Sequence, residues 1–226
     1  MSETVSRKKL VCLHITKTAG GTLKRALKAT PLNVEFVYGK ADKDALLAKD
    51  LSKVDILYGH MPYGVHTKVG YDYSPRYMCF MRHPTARTIS HYFHLRNVDR
   101  SPVGDRIRQS DDINDFFKTC DHWEFRNFMT GSISGLGPNI MNKEQDALDL
   151  AKKNMDETFD FIGFQEYFSF SMRKLSTILN ADLQVERDVN VGRYDLSQVS
   201  DRTLGIIEEY TKLDFQLYKY ALQKFL

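Results

Sequence analysis

The sequence predicts an α/β domain with a central parallel sheet flanked by helices. Three observations carry that prediction. Short, continuously apolar runs recur along the chain, helical segments alternate with them, and the first three runs each end in chemically capable polar groups. A strand covered on both faces needs apolar side chains throughout, so it lacks the in–out alternation of a half-exposed one. In open α/β sheets, ligands gather beyond the carboxyl ends of the strands, where these polar groups stand.

The runs occupy residues 10–15, 54–58, 77–81 and 159–164, and the first three lead into "TKTAGGT", "GH" and "RHP". Between them, residues 22–29 form a compact helical stretch stopped before Pro31, whose ring cannot continue a helix. Pro84 suits a first helical position and opens a segment to about Asn97. Asp111 or Asp112 can cap a helix carrying Ile113, Phe116 and Phe117. Asn142 with Gln145 matches a capping box, ahead of an apolar face of Ala147, Leu150 and Ala151.

Residues 166–179 read as helical, with Phe170, Leu175, Ile178 and Leu179 available for packing. A long closing helix is expected from near Asp201. Its Leu204, Ile207, Tyr210, Leu213, Leu217 and Ala221 recur every three or four positions, a face that should pack against the sheet. Residues 63–75 and 130–143 are the least regular stretches and are expected to rim a cleft. No internal repeat or linker divides residues 1–226, so a single domain is expected.

Composition narrows the partners. Apolar residues make up 42% of the 226, charged residues 27%, and the net charge is only +3. The basic residues have acidic neighbours, so no nucleic-acid surface is expected. No apolar run approaches the roughly 18 residues of a membrane span, and "MSETVSRKKL" has no signal-like apolar core. These features point to a cytoplasmic protein without a membrane span. Cys12, Cys79 and Cys120 have no metal spacing; Cys12 and Cys79 sit in strand-like runs and read as reduced core thiols.

The segment "HITKTAGGTLKRAL" carries the chemistry. Gly20 and Gly21 let the backbone turn and bring amide protons near a ligand, and the helix that follows points free amides at negative charge. Thr18 and Thr22 add hydroxyls, and Lys17 a mobile cation. A Walker loop would place its lysine after the glycines, directly before serine or threonine; here it comes first.

This strand, loop and helix resemble the 5′-phosphosulfate loop of carbohydrate sulfotransferases, closest to the heparan sulfate and uronyl 2-O-sulfotransferase branch. Members usually have proline where this chain has Thr16. "MCFMRHPTARTISHYFHLR" is similar to the family's strand and helix that bind the donor's 3′-phosphate, "ILYGHMPYGVH" to the segment supplying a histidine base, and "HWEFRNFMTG" to part of the substrate side. "FDFIGFQEYFSFSMRKL" resembles the later strand and helix near adenine or the 3′-phosphate.

The resemblance implies a P-loop-like sulfotransferase fold and a sulfo donor, 3′-phosphoadenosine 5′-phosphosulfate (PAPS), whose product is adenosine 3′,5′-bisphosphate (PAP). It implies an acceptor hydroxyl on a glycan or related small molecule, and no metal requirement. The donor would meet Lys17, Thr18, Ala19, Gly20, Gly21 and Thr22 at its 5′ side, and Arg82 and Ser90 at its 3′-phosphate. Arg87 reads equally as a surface ion pair. His60 is the candidate base, because neutral imidazole accepts a proton near neutral pH. His66 is the reserve base or an acceptor contact, and His14 an orienting or structural residue.

Arg126, suited to bidentate carboxylate recognition, and Asn127 are candidate acceptor contacts. A zinc site from His60, His66 and Asp72 lacks ligand spacing. Two other functions compete. A nucleotide-dependent kinase lacks Walker order and a magnesium carboxylate, whereas a non-catalytic nucleotide-binding module would keep Lys17 and Arg82 without needing His60.

Overall fold

The computed structural model describes residues 9–71, 74–98, 101–184 and 196–226. The expectations about the amino-terminal residues before Lys9 and about Asp72 lie outside this range. Five strands form one sheet: β1 (Leu10–Leu13), β2 (Val34–Val37), β3 (Ile56–Gly59), β4 (Arg76–Met81) and β5 (Phe159–Phe164). Their order is β2-β3-β1-β4-β5, and every pairing is parallel. The chain leaves β1 toward β2 on one side and leaves β4 toward β5 on the other. Because β1 and β4 are neighbours, their carboxyl ends form the switch point of the sheet.

Helices follow in chain order: α1 (Gly20–Lys28), α2 (Lys40–Leu46), α3 (Val65–Val69), α4 (Pro84–Asn97), α5 (Pro102–Gln109), α6 (Ile113–Thr119) and α7 (Phe128–Ser134). Then come α8 (Glu144–Thr158), α9 (Phe168–Leu179), α10 (Asp201–Tyr210) and α11 (Lys212–Phe225). The pleat divides the core in two. Val11, Leu13, Tyr77 and Cys79 face Met129 and Ile133 of α7, Ala151 of α8 and Leu217 of α11. Leu10, Cys12, Met78 and Phe80 face Leu23 and Leu27 of α1 and Met172 and Leu175 of α9. A third cluster packs α4, α5, α6 and α10 together through Ile89, Ile107, Phe117 and Ile207.

The expected parallel sheet is present, and β5 spans the residues read as a strand. The helix opened by Pro84 ends at Asn97, and Asp112 caps α6 by accepting from the Asp115 amide. The free thiols of Cys12, Cys79 and Cys120 are all buried.

Other expectations need correction. Edge strand β2 was not legible, because Glu35 interrupts four residues of which only Val37 is buried. The residue that opens α8 is Lys143 rather than Asn142, and its side chain makes no capping hydrogen bond. A 3-10 turn (Gln165–Tyr167) precedes α9, and Phe170 and Ile178 are exposed rather than packed. The two stretches read as irregular contain α3, α7 and a 3-10 helix (Gly137–Asn142).

The closing helix is broken in two at Thr211, whose backbone leaves the helical region at φ −116° and ψ 21°. Its hydroxyl donates to the Ile207 carbonyl at 2.7 Å. Beyond the break, Asn127 Oδ1 accepts from the Leu213 amide at 2.9 Å, satisfying a donor at the start of α11. Asp214 returns the favour by accepting from the Met129 and Thr130 amides at the start of α7. The two helix starts therefore cap each other, and α10 turns away from the sheet to pack on α4 and α6.

Among the described residues, no helix is long and apolar enough to cross a membrane.

Candidate functional site

The loop after β1 is held in an uncommon backbone shape. Lys17 and Ala19 both take left-handed conformations, at φ 69° and 65°, which disfavour residues with a Cβ. Such strain persists only where surrounding contacts over-determine it. Here Thr18 is buried and its hydroxyl donates to the Ile15 carbonyl at 2.8 Å. Tyr58 of β3 donates to the Gly20 carbonyl at 2.7 Å. Ala19 is the amino-terminal cap of α1 and uses no side chain. Gly20 and Gly21, as the first residues of the helix, have no carbonyl one turn back to receive their amides.

Three cations converge on this loop. Burial, together with the nearby Arg82 and Arg87 charges, pulls the Lys17 ammonium below the usual lysine range. Arg82, just beyond β4, donates to the Lys17 carbonyl at 3.3 Å. Ser90 lies two turns into α4 and is 6% exposed. Strand ends at the switch point thus bring Lys17 and Arg82 together, as expected from their positions after β1 and β4.

Arg87 is no surface residue. It is 1% exposed, donates through Nη2 to Thr16 Oγ1 at 2.6 Å, and stacks 4.1 Å from the Phe128 ring centroid. Its Nη1 donates to the Glu124 carbonyl. Burial lowers its pKa to about 10, which leaves it charged at neutral pH. Thr16, the position read as a departure from the resembled pattern, supplies the side-chain acceptor for this guanidinium.

A cleft of about 730 Å³ opens beside the loop, lined in part by His14, Thr16, Lys43, His60, His91, Trp123 and Glu124. His60 stands just after β3, and its Nδ1 lies 3.0 Å from the His14 carbonyl oxygen. A carbonyl can only accept, so Nδ1 carries the proton and Nε2 keeps its lone pair. The His14 and His60 rings stack at 4.5 Å. Burial outweighs the raising effect of the His14 carbonyl and lowers the His60 pKa below its ordinary value, which keeps the ring neutral at physiological pH. Burial and the charges of His60, Lys24 and Lys17 take His14 down to about 3.

The His14 ring in turn depends on Gly20, where an added Cβ would fall 1.8 Å from His14 Nε2. Gly20, His14 and His60 form a chain of contacts that fixes the imidazole beside the loop after β1. His14 thus packs between Gly20 and His60, at the position read from the sequence as orienting or structural.

One further pair was invisible in the sequence. His91 of α4 and Glu124 meet with Nε2 to Oε2 at 2.7 Å. Burial and the Arg87 charge lower His91 to about 4, so a neutral imidazole donates to a carboxylate. Burial pushes the Glu124 carboxyl up, but the His91 hydrogen bond and the positive Arg87 nearby help to outweigh it, and its pKa ends below the usual range. Thirty-three residues separate the two, and nothing local signals the contact.

Three sequence candidates fall outside the cleft. His66 is hydrogen-bonded through Nδ1 to the Tyr77 hydroxyl at 2.5 Å. Arg126 lies 3.7 Å from the Tyr210 ring centroid and donates to the Cys120 carbonyl. Asn127 is 1% exposed, and besides capping α11 it donates to Glu144 Oε1 at 3.2 Å. Arg126 is half-buried by its ring partner, and the Asn127 amide is committed to joining α7 and α11. Among the described residues, no group of three or more His, Cys, Asp or Glu is placed to hold a metal ion.

No curated protein matches the sequence. Among solved structures, the chain is similar to the crystal structure of mouse sulfotransferase SULT7A1 complexed with PAP. The TM-score is 0.46 at 12% identity, covering 96% of this chain and 85% of that one. A family model described as "Sulfotransferase family" matches residues 4–221, nearly the whole sequence, and the chain accordingly belongs to the sulfotransferase family.

Proposed function

We propose that this sulfotransferase moves a sulfo group from PAPS to a hydroxyl of a glycan or related small acceptor, with His60 as the base. One observation carries the donor half: Lys17, Arg82 and Arg87 converge where α1 begins, at the switch point of the sheet. Mutually repelling, partly desolvated cations beside free helix amides favour a multiply charged anion. The residues present fit a nucleotide carrying separate 5′ and 3′ phosphate groups. PAPS supplies the activated sulfo group when bound.

Lys17, Thr18, Ala19, Gly20, Gly21 and Thr22 are assigned to its 5′ side, and Arg82 and Ser90 to the 3′-phosphate. Thr18 already donates inward, so its hydroxyl serves chiefly to hold the loop. Lys17 neutralises charge that develops on the leaving phosphate oxygen as its bond to sulfur breaks. His60 Nε2 takes the acceptor's hydroxyl proton as that oxygen bonds to sulfur. Arg87 and Thr16 support the loop from beneath.

The test is to incubate the protein with PAPS or ATP and a panel of hydroxyl acceptors, with mass detection of product. Addition of a sulfo group from PAPS is expected. Phosphoryl transfer from ATP, or donor binding without transfer to any acceptor, would sink the reading.

Two substitutions probe the donor assignment. Arg82→Ala should weaken PAP binding by roughly 10-fold or more while hardly changing affinity for adenosine 5′-phosphate, since a charged hydrogen bond contributes about 1.5–3 kcal/mol. Equal losses in calorimetry would remove Arg82 from the 3′-phosphate. Gly20→Ala must displace the His14 ring or the loop, and should cost on the order of 10²-fold in turnover. Gly205→Ala is the control, because an added Cβ there meets no atom within 4 Å. Matching turnover in the two variants would show that the Gly20 packing is dispensable.

A further inference from the structure

Resting on the assignment of the cleft to the acceptor, we infer that the acceptor is an uncharged sugar ring stacked on Trp123 and hydrogen-bonded by Glu124. This narrows the glycan or related small acceptor implied by the resemblance to one without acidic groups.

The charge lining the cleft is the first ground. Among the described residues that line it, the permanently charged side chains are Lys43 and Glu124, one of each sign, and no arginine is present. A carboxylated or sulfated glycan calls for several cations, preferably arginines that grip an acidic group through two parallel hydrogen bonds. The converging cations Lys17, Arg82 and Arg87 do not line this cleft. Arg87 is already engaged with Thr16 and Glu124. Five imidazoles line it, His14, His60, His91, His94 and His122, and burial and neighbouring cations hold His14, His60 and His91 neutral at physiological pH. A polyanion entering here would meet one permanent cation, Lys43, and an anionic carboxylate, Glu124, with no arginine to grip its acidic groups.

The second ground is the chemistry that is present. Trp123 is half-buried and packs on Phe128 with ring centroids 4.9 Å apart, which fixes its orientation. A neutral pyranose has an apolar C–H face that can lie on such a ring, and hydroxyls at its edge. The adjacent Glu124 side chain is 29% exposed and accepts one hydrogen bond from His91, leaving further lone pairs for sugar hydroxyls. Holding the carboxylate at both ends of such a bond network positions it without neutralising it. The volume of about 730 Å³ falls in the range of about 300–1,000 Å³ typical of small-molecule sites.

Trp123 is the only tryptophan in the sequence, so its fluorescence reports directly on this cleft. The full chain would be titrated with cellobiose, lactose and mannobiose and with the matching disaccharides bearing a uronic acid, with and without saturating PAP. At least one neutral disaccharide should change Trp123 emission and bind about tenfold or more tightly than its acidic counterpart. Glu124→Gln should weaken that binding by about tenfold and leave PAP affinity, measured by calorimetry, unchanged.

Acidic disaccharides that bind as well as neutral ones would overturn the inference. So would an emission change produced by 2-naphthol but by none of the sugars, or no response to any ligand. Sugar binding in a protein that fails to bind PAP would support the sugar assignment and sink the donor assignment instead.

Discussion

His60→Ala is expected to lower single-turnover sulfo transfer by about 10²–10⁴-fold, the usual scale for general acid–base assistance. Donor affinity should stay close to wild type, because His60 lies across the cleft-side stack rather than among the converging cations. The geometry specifies the proton's path. Nδ1 is occupied by the His14 carbonyl, so the acceptor proton goes to Nε2.

The same assignment fixes a pH dependence. A base works only when unprotonated, so the rate falls as pH drops through its pKa. Burial lowers that pKa below the ordinary value of 6.5, and the acid limb should therefore have its midpoint below 6.5. Rapid-quench measurements across pH separate transfer from product release. Near-wild-type transfer by folded His60→Ala, or an acid limb centred above 6.5, would reject His60 as the base. His66→Ala should be mild in the same assay, since His66 sits on Tyr77 outside the cleft.

The largest effect on stability should come from Arg87→Ala. The wild-type guanidinium is almost fully buried, bonded to Thr16 and the Glu124 carbonyl and stacked on Phe128. Truncation leaves those acceptors unpaired, and leaves the buried Asp214 carboxylate without one of the charges that lower its pKa. Removing one member of a buried charged network typically costs about 3–5 kcal/mol. Urea denaturation should show a loss of that size, and PAP binding should weaken as the loop loses its support.

Arg87→Lys should recover only part of the loss, because a single ammonium cannot reproduce the planar fork of donors. A loss under about 1 kcal/mol for Arg87→Ala would show that the loop is held by other contacts.

Much of this architecture was legible in the residue order. Apolar runs too continuous for a half-exposed strand gave β1, β3, β4 and β5, because burial on both faces leaves a strong compositional mark. Pro84 and Asp112 marked helix starts, since a missing amide proton and a side-chain acceptor act within one turn. Edge strand β2 left no such mark, being short, half-buried and interrupted by Glu35. The break at Thr211 was hidden for a different reason: apolar spacing continues across it, while the groups that cap the new helix come from Asn127, far away in sequence.

At the site the division follows the range of the forces. Sequence by itself marked the loop Lys17 to Thr22 after β1, the strand-end positions of Arg82 and His60, and membership in the sulfotransferase family. Each is encoded within a few residues of a strand end, where backbone geometry dictates which groups are presented. Only the tertiary structure decided that Arg87 is a buried support, that Asn127 joins two helices, and that Arg126 rests on Tyr210. It also brought His91 to Glu124 and fixed the protonated nitrogen of His60. Those outcomes depend on desolvation and on hydrogen bonds between distant segments, and both exist only after the chain has closed around them.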